Sequence, residues 1–74
     1  MDIAARKKLV AGFIARCNEY AERKLEQYRA ELTGASAAEA LAIQDKIGHW
    51  TAYRAFNEHT LRELETNALD DWLR

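Results

Sequence analysis

His49 and His59 each stand four residues from a carboxylate, Asp45 and Glu63 respectively. On a helix that spacing puts both members of a pair on one face. Two such pairs brought together by a second copy would offer a metal nitrogen and oxygen ligands. The di-iron pattern of helical bundles needs Glu-X-X-His on inward faces, and neither histidine has a glutamate three residues before it. Cys17 is the only cysteine. With no Asp or Asn arranged behind His49, a Cys–His nucleophile lacks its third member. There is no Cys-X-X-Cys motif, glycine-rich phosphate loop or nucleophile elbow. Arg54 could hold an anion, but it stands among apolar positions, where its stem covers surface and its head reaches a neighbour. The expectation is therefore no catalytic residue, no metal ligand and no cofactor, with His/carboxylate pairs acting as surface ion pairs.

His49, Arg54 and His59 fall in the stretch His49–His59, which also holds Trp50, Tyr53 and Phe56, three of the chain's seven aromatics. The elements that must position them are helices. The 74 residues contain no proline and three glycines, with 49% hydrophobic and 31% charged residues. That composition is globular and favours helix, and the length allows one domain, 1–74. In the first half, Ile3, Val10, Ile14, Cys17, Ala21, Leu25, Tyr28 and Leu32 follow the helical repeat of about 3.6 residues. Leu9, Phe13 and Tyr20 widen this stripe on one flank. Asp2 is placed as N-cap, so the first helix runs from about residue 2 to 33. Such a rod, roughly 45 Å long, cannot bury its own stripe.

Thr33-Gly34-Ala35-Ser36 is the clearest punctuation. Gly34 is expected to take the left-handed conformation that ends a helix, and Ser36 with Glu39 forms a capping box for the next. A connection this short makes antiparallel neighbours. In the second helix, about 37–66, Ile43, Ile47, Trp50, Arg54, Asn57, Leu61, Leu64 and Ala68 alternate steps of four and three, the a/d seam of a paired helix. Residues whose numbers sum to about 70 should face each other across such a hairpin. Cys17 then meets Tyr53, Tyr20 meets Trp50, and Arg6, Lys7 and Lys8 approach Glu63, Glu65, Asp70 and Asp71. Arg54 and Asn57 are polar residues in the seam, a position that in paired helices fixes register or oligomer state. Thr60-Leu61-Arg62-Glu63 resembles a second capping box, but without Gly or Pro the helix is expected to continue through it.

A second line, Leu41, Asp45, Gly48, Ala52, Ala55 and His59, runs on nearly the opposite side of the same helix. Gly48 costs about 1 kcal/mol in a helix interior relative to alanine, and small residues admit a close neighbour. This line is a candidate for packing of a second copy. The tail, 67–74, overhangs the first helix and carries Trp72 and Leu73, an anchor pair for the oligomer or for another protein.

The fold class expected is all-α: an antiparallel helical hairpin with a short C-terminal helical tail, dimerising into a four-helix bundle. A single core in a chain this short supplies only about 3–5 kcal/mol, and with no disulfide or zinc motif, association is the remaining source. The function expected is a non-enzymatic protein–protein interaction or regulatory module acting as a homodimer, with an unidentified protein partner. Its interaction candidates are Trp50, Tyr53, Arg54, Asn57, Gly48, Ala52, His59, Trp72 and Leu73. A nucleic-acid-binding hairpin presenting Arg16, Arg23 and Arg29 is the alternative, disfavoured by a net charge of −1 and by interleaved glutamates; a bundle metal site ranks below it. No run has the ~18 apolar residues of a membrane span, and no apolar core follows the charges at the start, so no membrane partner and a cytoplasmic location are expected.

Overall fold

The computed structural model describes residues 1–74. It is all-helical: α1 spans Ile3–Thr33, α2 Ala37–Leu64 and α3 Asp70–Leu73. α1 and α2 lie side by side as an antiparallel hairpin of 52 × 16 × 13 Å. No helix is long and apolar enough to cross a membrane.

The starts of α1 and α2 follow from their caps. The Asp2 side chain accepts the Ala5 amide hydrogen at 2.8 Å, and the Asp2 carbonyl accepts from Arg6. This satisfies amide donors that have no partner inside the helix. At α2 the Ser36 hydroxyl oxygen accepts the Glu39 amide at 3.3 Å and donates to the Glu39 carboxylate at 3.0 Å. The glutamate thus closes the box on the hydroxyl rather than on the Ser36 backbone. Gly34 departs from expectation. Its φ is −106° and ψ 9°, outside the left-handed region. Its amide instead donates to the Glu31 carbonyl at 3.3 Å, and the Ala35 amide donates to the Leu32 carbonyl at 3.3 Å. Tight i→i−3 bonds therefore end α1, a route that needs no positive φ.

α2 runs unbroken past Thr60, whose hydroxyl donates back to the Phe56 carbonyl at 2.9 Å. A threonine can hold its own helix this way instead of starting a new one. The helix ends at Leu64, earlier than the apolar spacing suggests. Thr66 causes this locally: its hydroxyl donates to the Glu63 carbonyl at 2.8 Å and accepts the Ala68 amide at 3.1 Å. Those bonds compete with continued helix, so Ala68 leaves the seam and is exposed.

The chain then turns back across the open end, and the basic residues of α1 fasten it. The Arg6 guanidinium donates to the Leu73 carbonyl at 2.7 Å, and Lys7 donates to the Thr66 carbonyl at 2.9 Å while pairing with Asp70 at 2.5 Å. Cations at a helix N-terminus oppose the dipole; here they serve the free carbonyls at the end of α2 and of the tail. Of the carboxylates expected opposite them, Asp70 is engaged, whereas Glu63 pairs with His59 and Asp71 with Arg74. Lys8 stays exposed.

The expected seams are the ones that pack. Every residue of the α1 line from Ile3 to Leu32 is buried or half-buried, as is the α2 line from Ile43 to Leu64. Yet only Ala21, Leu25, Asn57 and Leu64 are fully buried. Two cylinders touch along one line, so each shields only a narrow strip of the other.

Candidate interaction surface

The middle of the hairpin is an aromatic cluster built on Trp50. Its ring meets Tyr20 of α1 edge-to-face at 5.6 Å, and on its own helix Tyr53 at 5.6 Å and His49 at 5.9 Å. Perpendicular geometry sets the positive ring edge against a negative ring face. Tyr20 and Trp50, and Cys17 and Tyr53, meet in the register expected of a closure near Ala35. The Cys17 thiol beside its hydroxyl raises the Tyr53 phenol above its ordinary value, and partial burial and the charge of the thiolate add to this; Asn57 pulls the other way.

That upward shift carries a pH prediction. A group that holds its proton more tightly when folded contributes stability below its unfolded pKa, about 10 for tyrosine, and loses it as pH rises through the folded value. Wild-type stability should therefore fall more steeply above about pH 10 than that of Tyr53→Phe. Urea midpoints measured from pH 8 to 11 check this, and parallel curves for the two proteins would contradict it.

Arg54 and Asn57, the two polar residues of the seam, have different fates. Arg54 is half-buried and its Nε lies 3.8 Å from Glu58 Oε1, one turn along α2. Its aliphatic stem covers the seam and its head reaches solvent. Asn57 is 4% exposed, and its amide nitrogen has no hydrogen-bond acceptor. On α1 the Asn18 side-chain carbonyl oxygen is likewise buried and unpaired.

The remaining sequence candidates lie outside the seam. Gly48, Ala52 and His59 are exposed, as are Leu41, Asp45 and Ala55 of the same line. A Cβ added at Gly48 would meet no atom within 4 Å, so nothing in the hairpin itself requires a glycine there. His59 contacts Glu63 one turn on, and no group of three His, Cys, Asp or Glu side chains converges anywhere in the chain. In the tail, Leu73 is half-buried and Trp72 is 85% exposed.

Sequence reasoning placed Leu9, Phe13 and Tyr20 on the flank of the stripe and Phe56 further round α2. The structure shows what that position entails. Phe13 and Phe56 are each 66% exposed, Leu9 65%, and Tyr20 and Tyr53 are also open to solvent. They share one face of the hairpin. Tyr53 abuts Cys17; Phe13 is one turn before Cys17 and Leu9 one turn before that, while Phe56 is one turn after Tyr53. A shallow groove runs beside the Leu9–Phe13 ridge, lined by Met1, Ala5, Lys8, Val10, Gly12 and Arg16. The signal was present in the sequence: residues about a quarter-turn off the seam are too far round to be covered by a single partner helix.

No family model matches the chain, and no curated protein or solved structure is significantly similar to it.

Proposed function

We propose that the chain is a non-enzymatic interaction or regulatory module that works as a homodimer, two hairpins forming a four-helix bundle. The supporting observation is the amount of surface left uncovered. The hairpin exposes 5473 Å², whereas a compact folded monomer of 8.5 kDa exposes about 4,700 Å². The excess of about 800 Å² equals what one partner buries in a standard interface. The radius of gyration tells the same story: 16.3 Å against about 11 Å for a compact domain of this length.

Nothing in this arrangement favours chemistry. The grooves are shallow and open, and His59, Arg54 and Arg74 are each paired with a carboxylate one turn away. A regulatory or adaptor role needs only a stable bundle with a free anchor, and Trp72 supplies one. The tail is fastened through Arg6, Lys7 and Asp70, so its tryptophan is presented by an ordered segment, which lowers the entropy lost on binding.

The nucleic-acid reading has one observation of its own. Arg23 and Lys24 stand over Tyr20 at 6.0 and 5.6 Å, and Lys24 and Lys46 over Tyr28 at 5.9 and 5.4 Å. Cations beside aromatic rings suit single strands. Against it, Glu19, Glu22 and Glu26 are exposed on the same helix, and the net charge is −1. Binding to a labelled oligouridine that weakens steeply with salt would favour this reading over the first.

Sedimentation equilibrium at micromolar concentration should give twice the 8.5 kDa chain mass. A cooperatively folded monomer there would overturn the proposal. Trp72→Ala should leave the dimer intact and remove whatever protein the wild type captures from its native cell; retention of that protein would take Trp72 out of recognition.

A further inference from the structure

We infer that the second copy docks on the aromatic face, Leu9, Phe13, Tyr20, Tyr53 and Phe56, rather than on the small-residue line through Gly48 and Ala52. This rests on the homodimer reading and names the surface it uses.

The first argument is where the apolar area lies. Five of the eight large hydrophobic side chains left exposed belong to this face; Leu41 alone belongs to the small-residue line. Hydrophobic stabilisation scales with apolar area removed from water, at roughly 25 cal/mol per Å². The aromatic face therefore offers most of the driving force. Alanines and a glycine offer close approach but little area.

The second argument is position. Both helices contribute to the aromatic face, so it spans the groove between them. A second hairpin laid across it would cover the quarter-turn flanks of α1 and α2 at once and complete four-helix packing. The small-residue line lies on α2 alone, on the side away from α1, and a partner there would leave Leu9 and Phe13 in water.

The third argument is size and symmetry. The uncovered excess of about 800 Å² is one partner's share of a standard interface. A two-fold pair uses the same patch on both copies, so one face on each hairpin is enough for a closed dimer. Phe13 and Phe56 lie at the same level of the hairpin, by the register that joins Cys17 to Tyr53, and form its centre. Lys8 and Arg16 border the Leu9–Phe13 ridge on its outer side, and Arg23, Lys24 and Lys46 stand over Tyr20 and Tyr28 toward the turn, so the apolar centre has a basic rim.

The test is a photocrosslinking comparison in the full chain. Benzoylphenylalanine replaces Phe56 in one protein and Leu41 in another; both sites are largely exposed in the hairpin, so neither replacement disturbs the seam. Irradiation at micromolar concentration should give covalent dimer from the Phe56 position and none from Leu41. A dimer by sedimentation that crosslinks at Leu41 and not at Phe56 overturns this inference and leaves the homodimer standing. A monomer by sedimentation overturns both. As an independent arm, Phe13→Glu should raise the dimer dissociation constant at least about 100-fold, as expected of a charge buried at the centre of an interface, while Ala52→Glu changes it less than threefold. The opposite ranking also overturns the inference.

Discussion

Leu25→Ala is expected to abolish the folded hairpin at room temperature or to lower its melting midpoint by at least about 10 °C. Leu25 is 1% exposed, and it is the one large side chain wholly enclosed by the hairpin. Truncating a buried leucine to alanine costs about 2–5 kcal/mol, from the lost transfer free energy and the cavity left behind. A core of this size supplies only about 3–5 kcal/mol, so the loss is comparable with the whole. The proposed association would add stability by mass action, so the two proteins are compared at matched concentrations. Circular dichroism at 222 nm during heating reads the result. A midpoint within a few degrees of wild type would mean that the hairpin's stability resides elsewhere.

Asn57→Leu is expected to act in the opposite direction, raising stability by about 1–3 kcal/mol. The Asn57 amide is enclosed between the helices, and its nitrogen, though it approaches the Tyr53 hydroxyl, meets no acceptor with hydrogen-bond geometry. A buried polar group without a partner has lost water and gained nothing in return. Leucine at this point continues the seam formed with Leu61 and Leu64 and is the better helix former. The gain should come at the expense of order, because a polar seam residue disfavours alternative registers. The urea midpoint should rise while amide NMR spectra broaden or double. A variant less stable than wild type would show that the amide is satisfied, by a water or by a partner copy, and would reassign Asn57 from a cost to a contact.

The two substitutions separate the two ways the seam can matter. One removes apolar contact where it is densest, and the other removes polarity where it is least compensated. Arg54 offers no such contrast, since its charge reaches Glu58 and solvent.

Much of this architecture was legible before any coordinates. Apolar spacing near 3.6 located both helices, because helix geometry repeats along the chain and needs no tertiary information. Asp2 and Ser36 marked the helix starts, since a cap bonds only to residues within its own first turn. The length of the Thr33–Ser36 connection set the helices antiparallel and, with it, the register that brings Cys17 to Tyr53 and Tyr20 to Trp50.

Other features depended on groups distant in sequence or on competition between local bonds. Gly34 could end α1 in two ways, and the tight i→i−3 bonds prevailed over the left-handed cap. Thr66 ended α2 through its own hydroxyl, although the apolar spacing ran on to Ala68. Asp70 rather than Glu63 became the partner of Lys7, because the tail folds back over the open end while Glu63 is already held by His59. Above all, apolar periodicity says which residues prefer cover but not how much cover exists. Leu9, Phe13, Tyr20 and Phe56 read as flanks of a stripe. Their quarter-turn offset put them at the edge of a single partner's reach, and the packed hairpin shows how much of each stays uncovered. Two helices, their caps and their pairing follow from short-range geometry. How much of each apolar residue is left in water is set by packing, because burial depends on how far a neighbouring cylinder extends around each helix.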